Sequence, residues 1–190
     1  RRCFHENDIS INEQPEDATI LKQNTMDFLA ISYYYSSMVS AKRNGMNPID
    51  LSKNPHLRAN PWGWAVDPKG LYNALCQYYD RYQVPIMIAE NGFGMYDKPE
   101  DGMVHDVYRI TYLSEHITQV KEAVKDGVEI FAYCAWGPID IVSCSSAEME
   151  KRYGFIYVDI DNEGNGSRKR IKKDNFYWYK KVIETNGEFI

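Results

Sequence analysis

Residues 84–92, Val-Pro-Ile-Met-Ile-Ala-Glu-Asn-Gly, run from an apolar segment into a carboxylate and then into a turn signal. The apolar run 84–89 has the length of a strand that is buried on both faces, and Asn91-Gly92 favours a chain reversal. Glu90 is therefore predicted at the C-terminal end of a buried strand, where catalytic groups lie in a parallel (β/α) barrel. A carboxylate there can act as a nucleophile; the alternative is a solvated Glu that ends the strand.

Strand and helix patterns alternate around this segment. Three apolar runs are typical of buried strands: 26–35, 84–89 and 128–136. Three helices are predicted, each preceded by an aspartate that can cap it: 68–82, 107–124 and 176–184. The second has an apolar stripe at spacings of three and four, formed by Val107, Ile110, Leu113, Ile117, Val120 and Val124. A shorter strand is predicted at 153–158, and the basic run 168–173 is expected to be a solvated face.

Alternating strands and helices predict an α/β fold with a parallel sheet and right-handed crossovers. Three parallel strands cannot close a barrel, because a (β/α)8 TIM barrel needs eight. We therefore expect residues 1–190 to be the C-terminal part of a single (β/α)8 domain, with its N-terminal strands absent from this chain, or else an open sheet. In either case the open sheet edges favour self-association.

Composition restricts the classes of function. With 190 residues, 44% hydrophobic and 26% charged, the chain is typical of a soluble globular protein. A net charge of −5 argues against nucleic-acid binding. No apolar run is long enough for a membrane span, and the four His show no metal-ligand spacing. The four Cys form no CxxC pair, which favours a reduced, cytoplasmic protein.

Several motifs occur in an order that is itself informative. They are Asp27–Tyr34, Trp62–Leu71, Ile88–Gly92, the helix positions Asp106, Arg109, Tyr112, Leu113 and His116, then Ala135–Asp140 and Ser143–Asp159. Together they resemble the C-terminal part of glycoside hydrolase family 1, and within it the 6-phospho-β-glucosidases. The resemblance covers nearly the whole chain in the family's order.

The resemblance implies a retaining mechanism with two carboxyl groups about 5–5.5 Å apart. It implies that Glu90 is the nucleophile and that Tyr34 orients it by donating a hydrogen bond. The alternative for Tyr34 is an aromatic side chain that packs at the rim. The acid/base Glu belongs to an Asn-Glu-Pro motif that has no convincing counterpart here, since the similar stretch 12–15 lacks the adjacent Pro and a preceding strand.

The loop after the last predicted parallel strand offers groups suited to a phosphate dianion: Ser143, Ser145, Lys151 and Tyr153. An ammonium neutralises charge and hydroxyls fix direction. The spacing leaves open which of the two serines binds, and a plain polar surface loop is the alternative. Trp136 is the candidate sugar-stacking platform, the alternative being a core Trp.

We therefore expect the full-length protein to hydrolyse 6-phospho-β-D-glucosides with retention, giving glucose 6-phosphate and an aglycone, without metal or cofactor. Because a phosphosugar does not cross a membrane, a cytoplasmic location is expected. One alternative is a 6-phospho-β-galactosidase, whose relatives tend to carry Trp where Cys144 stands. The other is a non-catalytic sugar-phosphate-binding fragment, since the acid/base is missing; the isolated chain is expected to be inactive.

Overall fold

The computed structural model describes residues 2–39, 51–52 and 54–190. The helices are α1 (Arg2–Glu6), α2 (Asp17–Gln23), α3 (Pro68–Tyr82), α4 (Val107–Lys125) and α5 (Asp174–Glu184). The strands are β1 (Leu29–Ser32), β2 (Met38–Val39), β3 (Leu51–Ser52), β4 (Ile86–Asn91), β5 (Ile130–Ala135), β6 (Ile156–Val158) and β7 (Arg170–Lys172).

The three predicted apolar strands form one parallel sheet in the order β1-β4-β5, with β4 in the centre. Helix α3 connects the first pair and α4 connects the second, so the prediction of strands alternating with crossover helices is confirmed. In the described part of the chain, β2 with β3 and β6 with β7 form separate antiparallel pairs. The strand predicted at 153–158 therefore lies outside the parallel sheet.

The main core lies between β4 and the two crossover helices. Ile86 and Ile88 of β4 are fully buried against Leu71 and Leu75 of α3 and the inner face of α4. Burying aliphatic side chains of this size stabilises the fold by roughly 1.5–3 kcal/mol each. This packing fixes the C-terminal end of β4, where Glu90 lies.

One of the three predicted aspartate caps forms. Asp67 accepts a hydrogen bond from the Gly70 backbone N–H at 2.9 Å, with Pro68 in the first helical position. Asp106 occupies the N-cap position of α4 but makes no capping bond. Asp174 lies within the first turn of α5, and Lys173 precedes the helix. These two carboxylates pair with other side chains instead.

The buried face of α4 differs from the predicted stripe. Val107 and Val124 are 63% and 48% exposed, whereas Arg109 and His116 are buried. Arg109 is buried because it forms salt bridges with Asp97 and Asp106, and His116 is buried against the Tyr112 ring. Apolar spacing alone therefore misplaced the edges of the buried face. The prediction of a solvated basic run holds for Arg168, Lys169, Arg170 and Lys172, which are exposed, but not for Lys173, which follows β7 and is fully buried.

Candidate active site

An irregular register at the end of β4 sets the direction of Glu90. The ladder with β1 pairs Ile31 with Ile88 but Ser32 with Glu90, so β4 has one extra residue there. Side chains alternate along a regular strand, and without this bulge Glu90 would continue the fully buried row of Ile88. Instead Glu90 is half-buried and Asn91 takes the next buried position. Bulges are common beside active sites because they redirect a side chain in this way.

The hydroxyl of Tyr34 donates a hydrogen bond to Glu90 Oε2 at 2.8 Å. The expected contact between these side chains is therefore present. Burial, followed by the hydrogen bond to Glu90, raises the pKa of Tyr34 well above its usual value, so the hydroxyl remains a donor. The Tyr34 ring makes edge contacts with Trp64 and Tyr153, at centroid distances of 5.6 and 6.3 Å.

All four predicted phosphate-loop side chains come together. The ammonium of Lys151 donates to Ser145 Oγ at 3.1 Å, and Ser145 Oγ lies 3.2 Å from Ser143 Oγ. Ser143 lies close enough to the Tyr153 hydroxyl to lower its pKa, although burial has the larger effect and raises that pKa to about 12. We call these four residues the hydroxyl–ammonium cluster. Since Tyr153 also contacts the Tyr34 ring, the cluster adjoins the side chain that holds Glu90.

Lys151 is almost completely buried, with 1% of its surface exposed. Its ammonium lies 3.8 Å from the centroid of the Trp64 ring and 5.1 Å from that of Trp62. Burial lowers the pKa of Lys151, and the nearby Glu148 opposes this shift. Among the described residues, no carboxylate forms a salt bridge with Lys151. A buried ammonium bonded to hydroxyls and aromatic faces is suited to an anionic ligand.

Trp136 lies directly after β5, beside the end of β4. Its backbone N–H donates to the Asn91 carbonyl at 2.8 Å. A Cβ added at Gly92 would lie 3.1 Å from Trp136 Cβ, so the two loops are in close contact. The indole is half-buried, and the structure places it near the strand that carries Glu90. Its sugar-stacking role stays a prediction.

A buried charge network beneath these loops was missed by sequence reasoning. Three carboxylates and three cations form it: Asp97, Asp106, Asp140, Arg109, Arg152 and Lys173. Lys173 Nζ lies 2.5 Å from Asp97 and 2.7 Å from Asp140. Apart from Asp106 and Arg109, which are one helical turn apart, the partners lie 12 or more residues from each other in the sequence. Charged residues are also expected at the surface.

Arg152 anchors the predicted phosphate loop to this network. It lies between Lys151 and Tyr153 in the chain and forms a buried salt bridge with Asp140 at 3.2 Å. Its guanidinium also donates to the carbonyls of Val158 and Ile160 at 2.8 and 2.7 Å. The two neighbouring side chains of the hydroxyl–ammonium cluster are thereby held on a rigid support.

Three further points concern the acid/base look-alike, metal sites and membrane spans. Glu13, the rejected acid/base look-alike, is exposed between α1 and α2. Within the described ranges, no three His, Cys, Asp or Glu side chains are grouped so that they could hold a metal ion. No helix in the described part of the chain has the length and apolar character needed to cross a membrane.

The chain is similar to known glycosidases over nearly its whole length. The family model described as Glycosyl hydrolase family 1 matches residues 1–188. The aryl-phospho-β-D-glucosidase BglH of Bacillus subtilis is 51% identical over 99% of this chain and 41% of its own length. A phospho-cellobiase of Klebsiella oxytoca is 50% identical over 98% of the chain and 41% of its own length. A Thermotoga maritima β-glucosidase structure in complex with noeuromycin superposes with a TM-score of 0.79 and 32% identity, over 97% of this chain and 40% of that one.

Proposed function

Because the chain belongs to glycosyl hydrolase family 1, we propose that the full-length protein is a retaining 6-phospho-β-glucosidase. The chain is the C-terminal portion of a (β/α)8 barrel and spans about 41% of the length of the curated relatives it matches. The whole activity is therefore a proposal about the full-length protein, in which residues 1–190 form part of a single domain.

In the proposed reaction, a Glu90 carboxylate oxygen forms a bond to the anomeric carbon while the bond from that carbon to the aglycone oxygen breaks. The departing oxygen takes a proton from an acid that this chain does not supply. Water then attacks the same carbon, gives up its proton to that group, and releases Glu90. Tyr34 holds one Glu90 oxygen at 2.8 Å and leaves the other for attack.

The observation that carries the choice of substrate is the hydroxyl–ammonium cluster. Lys151 is buried against Trp64 and bonds to Ser145 rather than to a carboxylate, so a phosphate dianion would supply the missing negative charge. Ser143 and Tyr153 add hydroxyl donors. The products would be glucose 6-phosphate and an aglycone. Since the substrate is a phosphosugar, we propose a cytoplasmic location.

The test compares three nitrophenyl substrates on the full-length protein: the 6-phospho-β-glucoside, the 6-phospho-β-galactoside and the unphosphorylated β-glucoside. We expect the first to have the highest kcat/KM, since Cys144 rather than a Trp stands between the two serines. A higher kcat/KM for the galactoside would contradict the glucoside preference. No turnover of any substrate would favour a non-catalytic sugar-phosphate-binding protein.

A variant tests the phosphate assignment itself. Lys151→Gln should lower kcat/KM for the phosphorylated glucoside about 100-fold, because it removes a charged hydrogen bond, while the unphosphorylated glucoside changes little. Lys180→Gln is the matched control, since Lys180 is exposed on α5. Equal losses on both substrates in Lys151→Gln would show that Lys151 does not bind the phosphate.

A further inference from the structure

Three side chains form a hydrogen-bonded cluster behind Glu90, on the helix side of the sheet. We call Asn91, Tyr112 and Tyr133, which come from β4, α4 and β5, the clamp. The Tyr133 hydroxyl donates to Asn91 Oδ1 at 2.6 Å, and Asn91 Nδ2 donates to the Tyr112 hydroxyl at 3.1 Å. Asn91 and Tyr112 are almost completely buried, so each of their polar atoms needs a partner.

Which atom donates in each hydrogen bond of the clamp is determined by the two backbone carbonyls that the clamp contacts, since a carbonyl can only accept. Asn91 Nδ2 lies 2.7 Å from the carbonyl oxygen of Tyr33, which can only accept, so the amide NH2 must face it. The Tyr112 hydroxyl accepts from Asn91 and donates its own proton to the Tyr34 carbonyl at 2.8 Å. The clamp thus supplies one donor to each of two successive backbone carbonyls.

Those carbonyls belong to the segment that carries the partner of Glu90. Strand β1 ends at Ser32, and one further bond, from the Tyr33 N–H to the Glu90 carbonyl at 2.9 Å, continues its ladder. Beyond that point the backbone at Tyr33 and Tyr34 is held by the clamp. The Tyr34 hydroxyl reaches Glu90 from this anchored backbone.

We propose that Asn91 and Tyr112 are positioning residues for the glycosylation step, acting on Glu90 through Tyr34. This inference rests on the proposed role of Glu90 as nucleophile. Hydrogen bonds that orient a reacting group need their own support, and small displacements of such groups cost large factors in rate. Without the clamp, the Tyr34 hydroxyl withdraws from Glu90 Oε2, and the carboxylate loses the bond that orients it.

A purely structural role would satisfy the same two carbonyls without affecting the reaction, so the test is a double-mutant cycle on the full-length protein. The readout is the rate constant of inactivation by a 2-deoxy-2-fluoro-6-phospho-β-glucoside, which reports the glycosylation step. Tyr34→Phe and Tyr112→Phe should each lower this rate about tenfold, as expected for loss of one hydrogen bond to a charged group. In the Tyr34→Phe background, Tyr112→Phe should change the rate less than about twofold, because its effect passes through Tyr34.

Tyr108→Phe is the matched control, since Tyr108 lies one turn earlier on α4 and donates to Asp97 instead. It should lower stability but keep the inactivation rate. If Tyr112→Phe fails to fold, Tyr133→Phe replaces it, with a smaller loss of about threefold that also vanishes in the Tyr34→Phe background. If the rate losses of Tyr34→Phe and Tyr112→Phe multiply in the double variant, the inference is overturned. A folded clamp variant that is inactivated at the normal rate would also overturn it. Inactivation of Glu90→Gln at the normal rate would instead overturn the proposed function, and the clamp with it.

Discussion

Gly92 and Gly94 allow the loop after β4 to touch the residues proposed to bind phosphate. A Cβ added at Gly94 would lie 3.0 Å from Tyr153 Cζ and 3.1 Å from Lys151 Cγ, both tighter than ordinary contact. A Cβ at Gly92 would meet Trp136 and Tyr153. The glycines are needed here for close approach, so loop and cluster are fitted to each other.

Gly94→Ala should therefore displace Lys151 and Tyr153. We expect KM for the phosphorylated glucoside to rise about tenfold, since displaced charged groups lose part of their hydrogen bonding, with a smaller effect on the unphosphorylated glucoside. Steady-state kinetics of the full-length protein measure this. Gly102→Ala is the control: its φ of +80° makes the change strained, but the added Cβ meets nothing within 4 Å. Equal KM values for Gly94→Ala and the unmodified protein would contradict the close fit.

Helix α4 shows what apolar spacing predicts and what it leaves out. Spacings of three and four predicted the helix, and it spans Val107–Lys125. They did not predict that Arg109, Tyr112 and His116 occupy the buried face. His116 bonds to the Tyr112 carbonyl on its own helix and stacks on the Tyr112 ring. Arg109 and Tyr112 are buried because their partners come from elsewhere in the fold: Arg109 pairs with Asp97, and Tyr112 bonds to Asn91. Such partners are set by tertiary packing, which periodicity along one element does not contain.

His116 should make the fold sensitive to acid. Burial lowers its pKa to about 4, and it stacks on the ring of Tyr112. Between about pH 6.5 and 4 the unfolded chain binds a proton that the folded chain does not. The free energy of unfolding therefore decreases as the pH is lowered through this range, by up to about 3 kcal/mol. His116→Phe should remove this component. Midpoints of urea unfolding at about pH 7 and 4.5 measure it; an equal acid loss in both proteins would contradict it.

The loops are joined by the buried charge network, in which Lys173 bridges two carboxylates. Burial alone would raise the pKa of Asp97, but Arg109 and Lys173 hold it below its usual value. Lys173→Met leaves Asp97 and Asp140 each with a single arginine partner.

We expect Lys173→Met to lower the free energy of unfolding by about 3–5 kcal/mol, as when one partner is removed from a buried ion pair. Thermal unfolding of the full-length protein measures the loss. Lys172→Met is the control, since Lys172 is an exposed neighbour on β7. Equal melting temperatures for the two variants would show that the network is not needed for stability.

For the molecule as a whole, the order of strand and helix patterns along the sequence predicted more of the fold than the amino-acid composition did. The three parallel strands and their crossover helices follow from the alternation of strand and helix patterns along the chain. The contact between Tyr34 and Glu90 was expected from the family resemblance, and the structure contains it. The β6–β7 pair and the buried Lys173 did not follow, because a basic run gives no sign of its distant carboxylates.

The isolated 190 residues should hydrolyse nothing and should self-associate. Among the described strands, β1 and β5 each have one unpaired edge, and a groove of about 570 Å³ runs along β5 between α4 and α5. Exposed Phe131 and Ile183 line this groove. Open parallel edges and apolar surface favour association of copies. Size-exclusion chromatography with light scattering should show a dimer or larger species; an active monomer would mean that the acid/base lies in this chain.

The most direct test of the central claim is the identity of the residue that carries the covalent intermediate. The full-length protein is treated with a 2-deoxy-2-fluoro-6-phospho-β-glucoside, digested and analysed by peptide mass spectrometry. We expect one labelled peptide, with the sugar phosphate esterified to Glu90, and no label in Glu90→Gln, whose amide cannot form the ester. Labelling of any other carboxylate, with Glu90 unmodified, would contradict the assignment of the nucleophile.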